Sequence, residues 1–422
     1  MLQVWKKGLA PVTIIMLMAV LLLGPWAVAP ASAQEQQLTK NDNTYRIVSL
    51  GDSLTVGYEP GMDINWKPYG FVDRLLEQGL YHSRTEVVNL GINGLKTDGL
   101  HQYVQAIFDE RAISANDIQS ELKDPRAAII GSEAAQAKTL IAGADVITVT
   151  IGGNDMLELV MTADTLSTEE LKTRVEQVLK VYSDNVTAAV NNLHSINPDA
   201  VIVLADQYQP IPKIADKVVY PKLLEAAEQF TKLIDGMTES FNKNGITVKV
   251  AHVAKEFVGS EMTMTHILKE DIHPNQYGYE VMARVFSETI WGGYTKPVVY
   301  EAEQPMGIIV SGKEIKTPYK PVMVKNQNFV AIQDIVNAIG AESKWSNKTS
   351  SATITYGDKE VVIKIGSKSV KVNGTPVSID TPAFLHKVGK EQKTYVPLAV
   401  LASGLGFDVQ YNPKLRTVFI NP

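Results

Sequence analysis

The chain has 422 residues, a formal net charge of −6 and no cysteine. The lack of cysteine excludes disulfides, thiolate nucleophiles and cysteine-ligated metal sites, and a pI near 5.7 without a dominant basic patch argues against nucleic acid as a partner. Hydrophobic residues make up 45% and charged residues 20%, as in globular proteins, and the length allows two or three domains.

Residues 1–33 have the layout of a secretory signal peptide. Two lysines precede an apolar run, and Ala31 and Ala33 occupy the small-residue positions of a cleavage site before Gln34. An uncleaved membrane anchor is the alternative, but two prolines interrupt the apolar run and favour cleavage. We therefore predict a secreted, extracellular bacterial protein whose mature chain opens with a polar lead at 34–44.

Residues 45–292 alternate short apolar runs with longer amphipathic segments. The predicted strands are YRIVSL, EVVNL, ADVITVTI, AVIVLA and ITVKVAHV. Ser167 is a candidate N-cap of one long helix, and Gly245 is a candidate stop of another. This alternation predicts a parallel sheet in a three-layer α/β/α sandwich, with an active site at the carboxyl ends of the strands.

Four short blocks in this region carry groups suited to acyl transfer. Three of them follow predicted strands, and the fourth precedes a helix; they are Gly51-Asp52-Ser53, Asn89 to Gly94, Gly153-Asn154-Asp155, and Glu270, Asp271 and His273. A serine nucleophile needs a base, usually an imidazole, and the developing oxyanion needs N–H donors aimed at it. The blocks supply all of these groups: Ser53 is the candidate nucleophile, and His273 is the candidate base. The Gly94 backbone and the Asn154 amide are the candidate N–H donors.

Each block alone has a structural explanation. Gly-Asp-Ser after a strand is commonly a loop with an N-cap, Gly-Gly-Asn-Asp is a good turn sequence, and Asp271 before His273-Pro274 could cap a helix. The combination favours catalysis, because four unrelated turns have no reason to supply a nucleophile, a base and two kinds of donor.

These blocks, in this order, resemble those of the GDSL or SGNH hydrolases, a family of serine esterases and lipases, over about 45–292. The resemblance implies a flavodoxin-like parallel sheet. It also implies that Ser53 is the nucleophile, that His273 is the base, and that the Ser53 N–H, Gly94 and Asn154 form an oxyanion hole. No G-x-S-x-G surrounds Ser53, which argues against the α/β-hydrolase elbow.

The third member of the triad is ambiguous. The family usually places an aspartate three residues before the histidine, where this chain has Glu270, while Asp271 lies two residues before it. Either carboxylate could orient the imidazole. Asp271 is favoured slightly because its shorter side chain has less freedom to lose, and a backbone carbonyl is a further alternative.

Sixty residues separate Gly94 from Asn154, more than the family usually needs. The stretch 101–143 is therefore interpreted as an insertion that forms either a wall or partial lid over an acyl pocket, or an added surface hairpin. Three aromatic residues after the nucleophile either line the pocket or belong to the core; they are Trp66, Tyr69 and Phe71.

Beyond a predicted linker at 293–306, two segments repeat at an offset of 66: 328–354 aligns with 394–420. Such duplication predicts a small α+β domain made of two repeats. Residues 307–422 resemble the copper amine oxidase N-terminal-like, or stalk, domain of secreted Gram-positive proteins. His386 is the only histidine of this tail and has no clustered ligands around it, so we expect no metal.

The sequence predicts a secreted serine ester hydrolase that cleaves acyl esters through an acyl-enzyme on Ser53 without a cofactor. The substrate is a small-molecule or lipid ester. Alternatives are a polysaccharide O-acetyl esterase, a lysophospholipase or an acyltransferase of the same fold. A non-catalytic cell-envelope binding protein is the alternative of another class, and the tail suggests cell-wall association.

Overall fold

The computed structural model describes residues 43–63, 67–298, 300 and 306–422. The predicted signal peptide, nearly all of the polar lead and Trp66 lie outside the described residues. None of the helices in the described ranges is long and apolar enough to cross a membrane.

The central sheet is built from the apolar runs predicted as strands. Its strands are β1 (Tyr45–Gly51), β2 (Thr85–Gly91), β3 (Val146–Thr150), β4 (Val201–Ala205) and β5 (Val248–Ala251). They pair in the order β2-β1-β3-β4-β5, all parallel. This is the flavodoxin-like order, so the predicted α/β/α fold class is confirmed.

The helices of this part of the chain connect the strands and cover both faces of the sheet. They are α1 (Ser53–Val56), α2 (Phe71–Leu80), α3 (Thr97–Phe108), α4 (Ala115–Ile118), α5 (Ala127–Ser132), α6 (Ala134–Ala142), α7 (Gly153–Thr162), α8 (Thr168–Ile196), α9 (Val219–Lys243), α10 (Ala254–Phe257), α11 (Glu261–Met264) and α12 (Gln276–Trp291), with a 3₁₀ turn at Ile267–Lys269.

Alternating side chains of the strands bury two separate cores, because successive residues of a strand point to opposite faces. Val48 and Leu50 of β1 belong to the core shared with α3, α6, α8 and α9. Ile47 belongs to the core shared with α2 and α12. Both faces of β1 are therefore covered, which explains why its sequence is nearly all apolar.

The predicted start of the long helix α8 is confirmed. The Ser167 hydroxyl accepts the Glu170 N–H at 3.2 Å, and the Glu170 carboxylate accepts the Ser167 N–H at 3.0 Å. This reciprocal pair satisfies two backbone donors that the first turn of a helix leaves open.

The C-terminal part consists of short strands and two helices. They are β6 (Gly307–Val310), β7 (Lys313–Glu314), β8 (Val322–Val324), β9 (Gln327–Ala331), α13 (Ile332–Ile339), β10 (Glu342–Ser346), β11 (Ser351–Tyr356), β12 (Lys359–Lys364), β13 (Ser369–Val372), β14 (Thr375–Ser378), β15 (Phe384–Val388), β16 (Glu391–Pro397), α14 (Leu398–Gly404), β17 (Asp408–Asn412) and β18 (Thr417–Asn421).

The two predicted repeats are structurally equivalent and interlocked. The order strand, helix, hairpin from β9 to β11 recurs from β16 to β18. Strands β9 and β16 pair antiparallel with Val330 opposite Val396, the same position of each repeat. Strand β18 of the second repeat pairs in parallel with β6, which precedes the first repeat, and both repeats contribute to one apolar core. Neither repeat therefore buries its apolar face alone.

Candidate active site

The nucleophile block lies where β1 ends. Gly51 has φ +136°, and a Cβ there would lie 2.1 Å from the Thr150 carbonyl oxygen of β3, so the close approach of two strands requires glycine. The next residue, Asp52, accepts the Leu54 N–H at 3.1 Å and the Thr150 hydroxyl at 3.0 Å. These contacts fix the turn that places Ser53 at the start of α1.

Ser53 and His273 meet at this edge of the sheet. The Ser53 Oγ lies 2.9 Å from His273 Nε2, and His273 Nδ1 lies 2.8 Å from Asp271 Oδ1. A carboxylate at Nδ1 selects the tautomer with its proton on Nδ1, which leaves Nε2 as the acceptor for the serine hydroxyl. The three side chains are thus joined by two consecutive hydrogen bonds, the arrangement found in a catalytic triad.

The structure places Asp271, and not Glu270, against the imidazole. Glu270 has φ +61° and is exposed, while Asp271 also accepts the His273 backbone N–H at 2.8 Å. Burial by itself would raise the pKa of Asp271, but the hydrogen bonds from the His273 ring and N–H outweigh it and lower that pKa. The cap of α12 is Asn275, whose side chain accepts two helix N–H groups, so Asp271 is not the helix cap.

The loop that carries His273 is held from three sides. The Tyr208 hydroxyl donates to the Ile272 carbonyl at 2.8 Å, and the His266 N–H donates to the His273 carbonyl at 2.9 Å. The ring of Tyr58 packs against the imidazole with 4.5 Å between centroids. These contacts leave the imidazole little freedom to turn away from Ser53.

The candidate oxyanion donors are the Ser53 N–H and groups of two other blocks, the Gly94 N–H and the Asn154 amide. Within the described ranges, the backbone N–H groups of Ser53 and Gly94 donate to no protein acceptor. Gly94 has φ +81° and open space where a Cβ would point. Asn154 contacts the same cavity as Ser53, and one N–H of its amide donates to the Leu95 carbonyl at 2.8 Å, which fixes the plane of the amide.

The segment 101–143 does not form a wall or lid over the cavity, and that part of the sequence interpretation was wrong. All of its residues are described, and none of them lines the cavity. Instead, Asp124 accepts the Asn93 N–H at 2.7 Å, and the Gln119 amide donates to the Gly94 carbonyl at 3.0 Å. The segment thus packs against the loop that carries Gly94 and supports it from outside.

Asp124, the residue of this segment that accepts the Asn93 N–H, has a buried carboxylate. Burial would raise its pKa, but hydrogen bonds from Arg126 and from the Asn93 N–H outweigh that effect and lower the pKa. Arg126 lies 2.7 Å from Asp124 and also donates to the Gly91 carbonyl at 3.0 Å. The ion pair therefore joins the segment to the end of β2.

A largely apolar cavity of about 330 Å³ extends from Ser53 between α7, α8 and α9. Its polar end holds Ser53, Asn154 and His273. Its apolar wall includes Met156, Leu159, Val160, Leu171, Val175 and Phe230. Tyr69 and Phe71 do not contribute to it: Phe71 is fully buried and stacks on Phe286, and Tyr69 packs beside Arg74.

Sequence reasoning missed several groups that organise the site. Tyr208 and Gln207 follow β4 at the same carboxyl edge, and their position after an apolar strand was the signal that could have found them. Asp155 was named as part of its block, but its contact was not expected: it accepts the Thr97 hydroxyl at 2.6 Å and so joins the Asn154 block to the start of α3. Among the described residues, no group of three or more His, Asp or Glu side chains could hold a metal ion.

Burial also affects Asp52, the residue next to Ser53. Asp52 is 2% exposed, and burial raises its pKa to about 7, against the opposing effect of the hydrogen bonds from Leu54 and Thr150. The carboxyl group of Asp52 is therefore largely neutral in mildly acidic solution, although it lines the same cavity as Ser53 and His273.

Residues 47–286, more than half of the chain, match the family model of GDSL-like lipases and acylhydrolases. The chain belongs to this family. Residues 309–420 match the model of the copper amine oxidase N-terminal domain. Both resemblances expected from the sequence are confirmed, and so is the carboxylic ester hydrolase class. Among curated proteins, none matches this chain.

Several solved structures are similar to part of this chain. A lipase from a goat-rumen metagenome has 21% identity and a TM-score of 0.36, covering 57% of this chain and 95% of that one. A catalytic mutant of an acetylxylan esterase from Geobacillus stearothermophilus has 16% identity and a TM-score of 0.36, covering 59% and 94%. An extracellular lipase from Streptomyces rimosus has 14% identity and a TM-score of 0.39, covering 58% and 99%.

Proposed function

We propose that this GDSL hydrolase is a secreted serine esterase that cleaves esters of aliphatic acyl groups through an acyl-enzyme on Ser53. The observation that carries the proposal is the pair of hydrogen bonds that joins Ser53 to His273 and His273 to Asp271. All three residues line a largely apolar cavity of about 330 Å³. The layout of residues 1–33 supports secretion.

In the proposed reaction, Ser53 Oγ attacks the ester carbonyl carbon while its proton passes to His273 Nε2. The negative charge on the carbonyl oxygen is stabilised by the N–H groups of Ser53, Gly94 and Asn154. The ionised Asp271 stabilises the imidazolium. When the tetrahedral intermediate collapses, the C–O bond of the leaving alcohol breaks, and His273 Nε2 returns the proton to that oxygen.

Deacylation repeats these steps with water. His273 takes a proton from a water molecule, the resulting hydroxide attacks the acyl carbon, and the same donors stabilise the second oxyanion. The acid is released and the proton returns to Ser53 Oγ. An alcohol in place of water would give acyl transfer, so the balance between hydrolysis and transfer depends on which nucleophile reaches the acyl-enzyme.

The cavity favours aliphatic acyl esters, including lysophospholipids, over O-acetyl groups on polysaccharide. Beyond Ser53 its wall consists mainly of Met, Leu, Val and Phe side chains, which gain free energy by covering the methylene groups of an acyl chain. An acetyl group would leave most of that wall uncovered. A non-catalytic envelope-binding protein would not turn over any ester, so a measurement of turnover distinguishes the two roles.

The test is turnover of p-nitrophenyl esters of increasing acyl length, with lysophosphatidylcholine and acetylated xylan as further substrates. The proposal predicts that kcat/KM rises from acetyl to a medium-length chain, and that Ser53→Ala abolishes all turnover. Highest activity on acetylated xylan would contradict the acyl preference. Absence of any turnover, with no labelling of Ser53 by a fluorophosphonate, would support the binding role instead.

A further inference from the structure

The C-terminal domain docks onto one end of α2 in the hydrolase domain. Leu80 of α2 shares a small buried cluster with Ile309 and Phe419, and Tyr81 meets Phe419 edge to face at 5.2 Å between centroids. Asn421 is 1% exposed and donates from Nδ2 to the Leu80 carbonyl at 2.9 Å. This apolar and hydrogen-bonded contact fixes β17 and β18 beside α2.

Two side chains of the C-terminal domain extend from this contact towards the catalytic domain. Asn412 Nδ2 donates to Glu77 Oε1 at 3.1 Å, and Lys414 Nζ lies 4.7 Å from the centre of the Tyr69 ring. The Tyr69 hydroxyl donates to the same Glu77 oxygen at 2.9 Å. Glu77 is 1% exposed, so its carboxylate depends on these donors to replace water.

Tyr69 in turn belongs to a hydrogen-bonded route that ends at His273. The Gln276 amide nitrogen lies 3.3 Å from the Tyr69 carbonyl oxygen and 2.9 Å from Glu59 Oε2. The other Glu59 oxygen lies 3.2 Å from His266 Nε2. The His266 backbone N–H donates to the His273 carbonyl at 2.9 Å. Each link in this route is a direct contact between side chains or backbone groups.

We propose that Asn412 and Lys414 of the C-terminal domain are positioning residues for the ester hydrolysis, because they hold Tyr69 in the arrangement that supports the His273 loop. This inference rests on the proposed function of Ser53 and His273. The imidazole of His273 must keep its position within a fraction of an ångström to take the serine proton efficiently. Greater mobility of the loop that carries His273 therefore lowers kcat. The C-terminal domain would then contribute to the rate of ester hydrolysis, in addition to its candidate role in cell-wall association.

The experiment compares the full chain with the double variant Asn412→Ala/Lys414→Ala. We expect kcat to fall about three- to tenfold, the range that loss of one hydrogen bond gives. KM stays unchanged, because neither residue lines the cavity. The matched control is Gln410→Ala on the same strand, which loses a 3.1 Å hydrogen bond to the Thr85 carbonyl but touches no group of the route. Its kcat stays at the wild-type value.

A second measurement separates positioning from general loosening of the domain contact. Lys414 is exposed, so Lys414→Gln keeps the fold and removes only the cation over Tyr69; we expect kcat to fall about twofold. In a double-mutant cycle, Tyr69→Phe and Asn412→Ala should have less than additive effects on kcat, because each removes a donor to the same Glu77 oxygen.

The outcomes distinguish this inference from the proposed function. If the wild-type chain shows neither turnover nor labelling, the proposed function fails and this inference fails with it. If the wild type is active and Asn412→Ala/Lys414→Ala matches Gln410→Ala in kcat, or if the cycle is additive, only the positioning role is overturned. A fall in kcat at constant KM, with Gln410→Ala unaffected and a coupled cycle, supports it.

Discussion

His273 Nε2 lies 2.9 Å from Ser53 Oγ, although 220 positions separate the two residues along the chain. Parallel strands make this possible, because their carboxyl ends all open at one edge of the sheet. Ser53 lies just after β1, and His273 lies in the loop between the 3₁₀ turn and α12, after the last strand β5.

The pair Glu270 and Asp271 gives the first prediction. Asp271→Asn should lower kcat by about 10⁴-fold, because the amide selects the wrong imidazole tautomer and cannot stabilise its cation. Glu270→Gln, the neighbouring control, should stay close to wild type, since Glu270 is exposed and it is Asp271 that is hydrogen-bonded to His273. Steady-state kinetics on a p-nitrophenyl ester checks both, and equal losses in the two variants would contradict the assignment.

Asp52 gives a prediction about pH and stability. Its pKa is raised from 3.8 to about 7 in the folded chain, so the folded state binds more protons than the unfolded state between these values. The contribution of Asp52 to the free energy of unfolding is therefore fully present below pH 4 and is lost as pH rises through about 7.

Asp52→Asn keeps a similar shape and cannot titrate. Relative to wild type, this variant should gain stability as pH rises from 4 to 8, by up to about 4 kcal/mol. Urea denaturation at several pH values measures the difference. A stability difference that does not change over this range would show that Asp52 is ionised throughout.

Asp124 gives a prediction about the oxyanion loop. Asp124→Asn weakens the ion pair with Arg126 and the acceptor for the Asn93 N–H, so the loop with Gly94 should lose its fixed position. We expect kcat to fall about tenfold with little change in KM, since loss of one oxyanion donor costs more than that. Glu121→Gln, an exposed change in the same segment, is the control and should keep wild-type kcat. An unchanged kcat in Asp124→Asn would refute the supporting role.

The cavity gives a prediction about acyl length. Ala226 of α9 lines the apolar part of the cavity and is only partly buried, so Ala226→Phe fills space without overpacking the core. This variant should lose about tenfold or more in kcat/KM for medium-length esters, while p-nitrophenyl acetate, the internal control, is hydrolysed normally. An unchanged kcat/KM on the medium-length ester would mean that the acyl chain lies elsewhere.

The regular part of the fold was predictable because it follows from local patterns. Each strand of the central sheet matches an apolar run within about two residues, and Ser167 begins α8 as expected. The C-terminal duplication was visible as an offset of 66, and the facing pair Val330 and Val396 explains why both repeats keep an apolar residue there.

The rest depended on contacts that leave no local signal. The choice between Glu270 and Asp271 follows from the two hydrogen bonds that Asp271 makes with the ring and backbone N–H of His273, which the sequence does not reveal. The insertion packs against the Gly94 loop through Asp124 and Gln119, and nothing in its helical pattern indicates that direction. The roles of Ser53, Gly94, Asn154 and His273 in catalysis stay predictions.

Labelling by a fluorophosphonate, followed by mass spectrometry of the digested protein, is the decisive test of Ser53 as the nucleophile. We predict one adduct, on the peptide that contains Ser53, which disappears in Ser53→Ala and forms at least a hundredfold more slowly in His273→Ala, as expected for loss of a general base. An adduct on another residue, or equally fast labelling of Ser53 without His273, would contradict it.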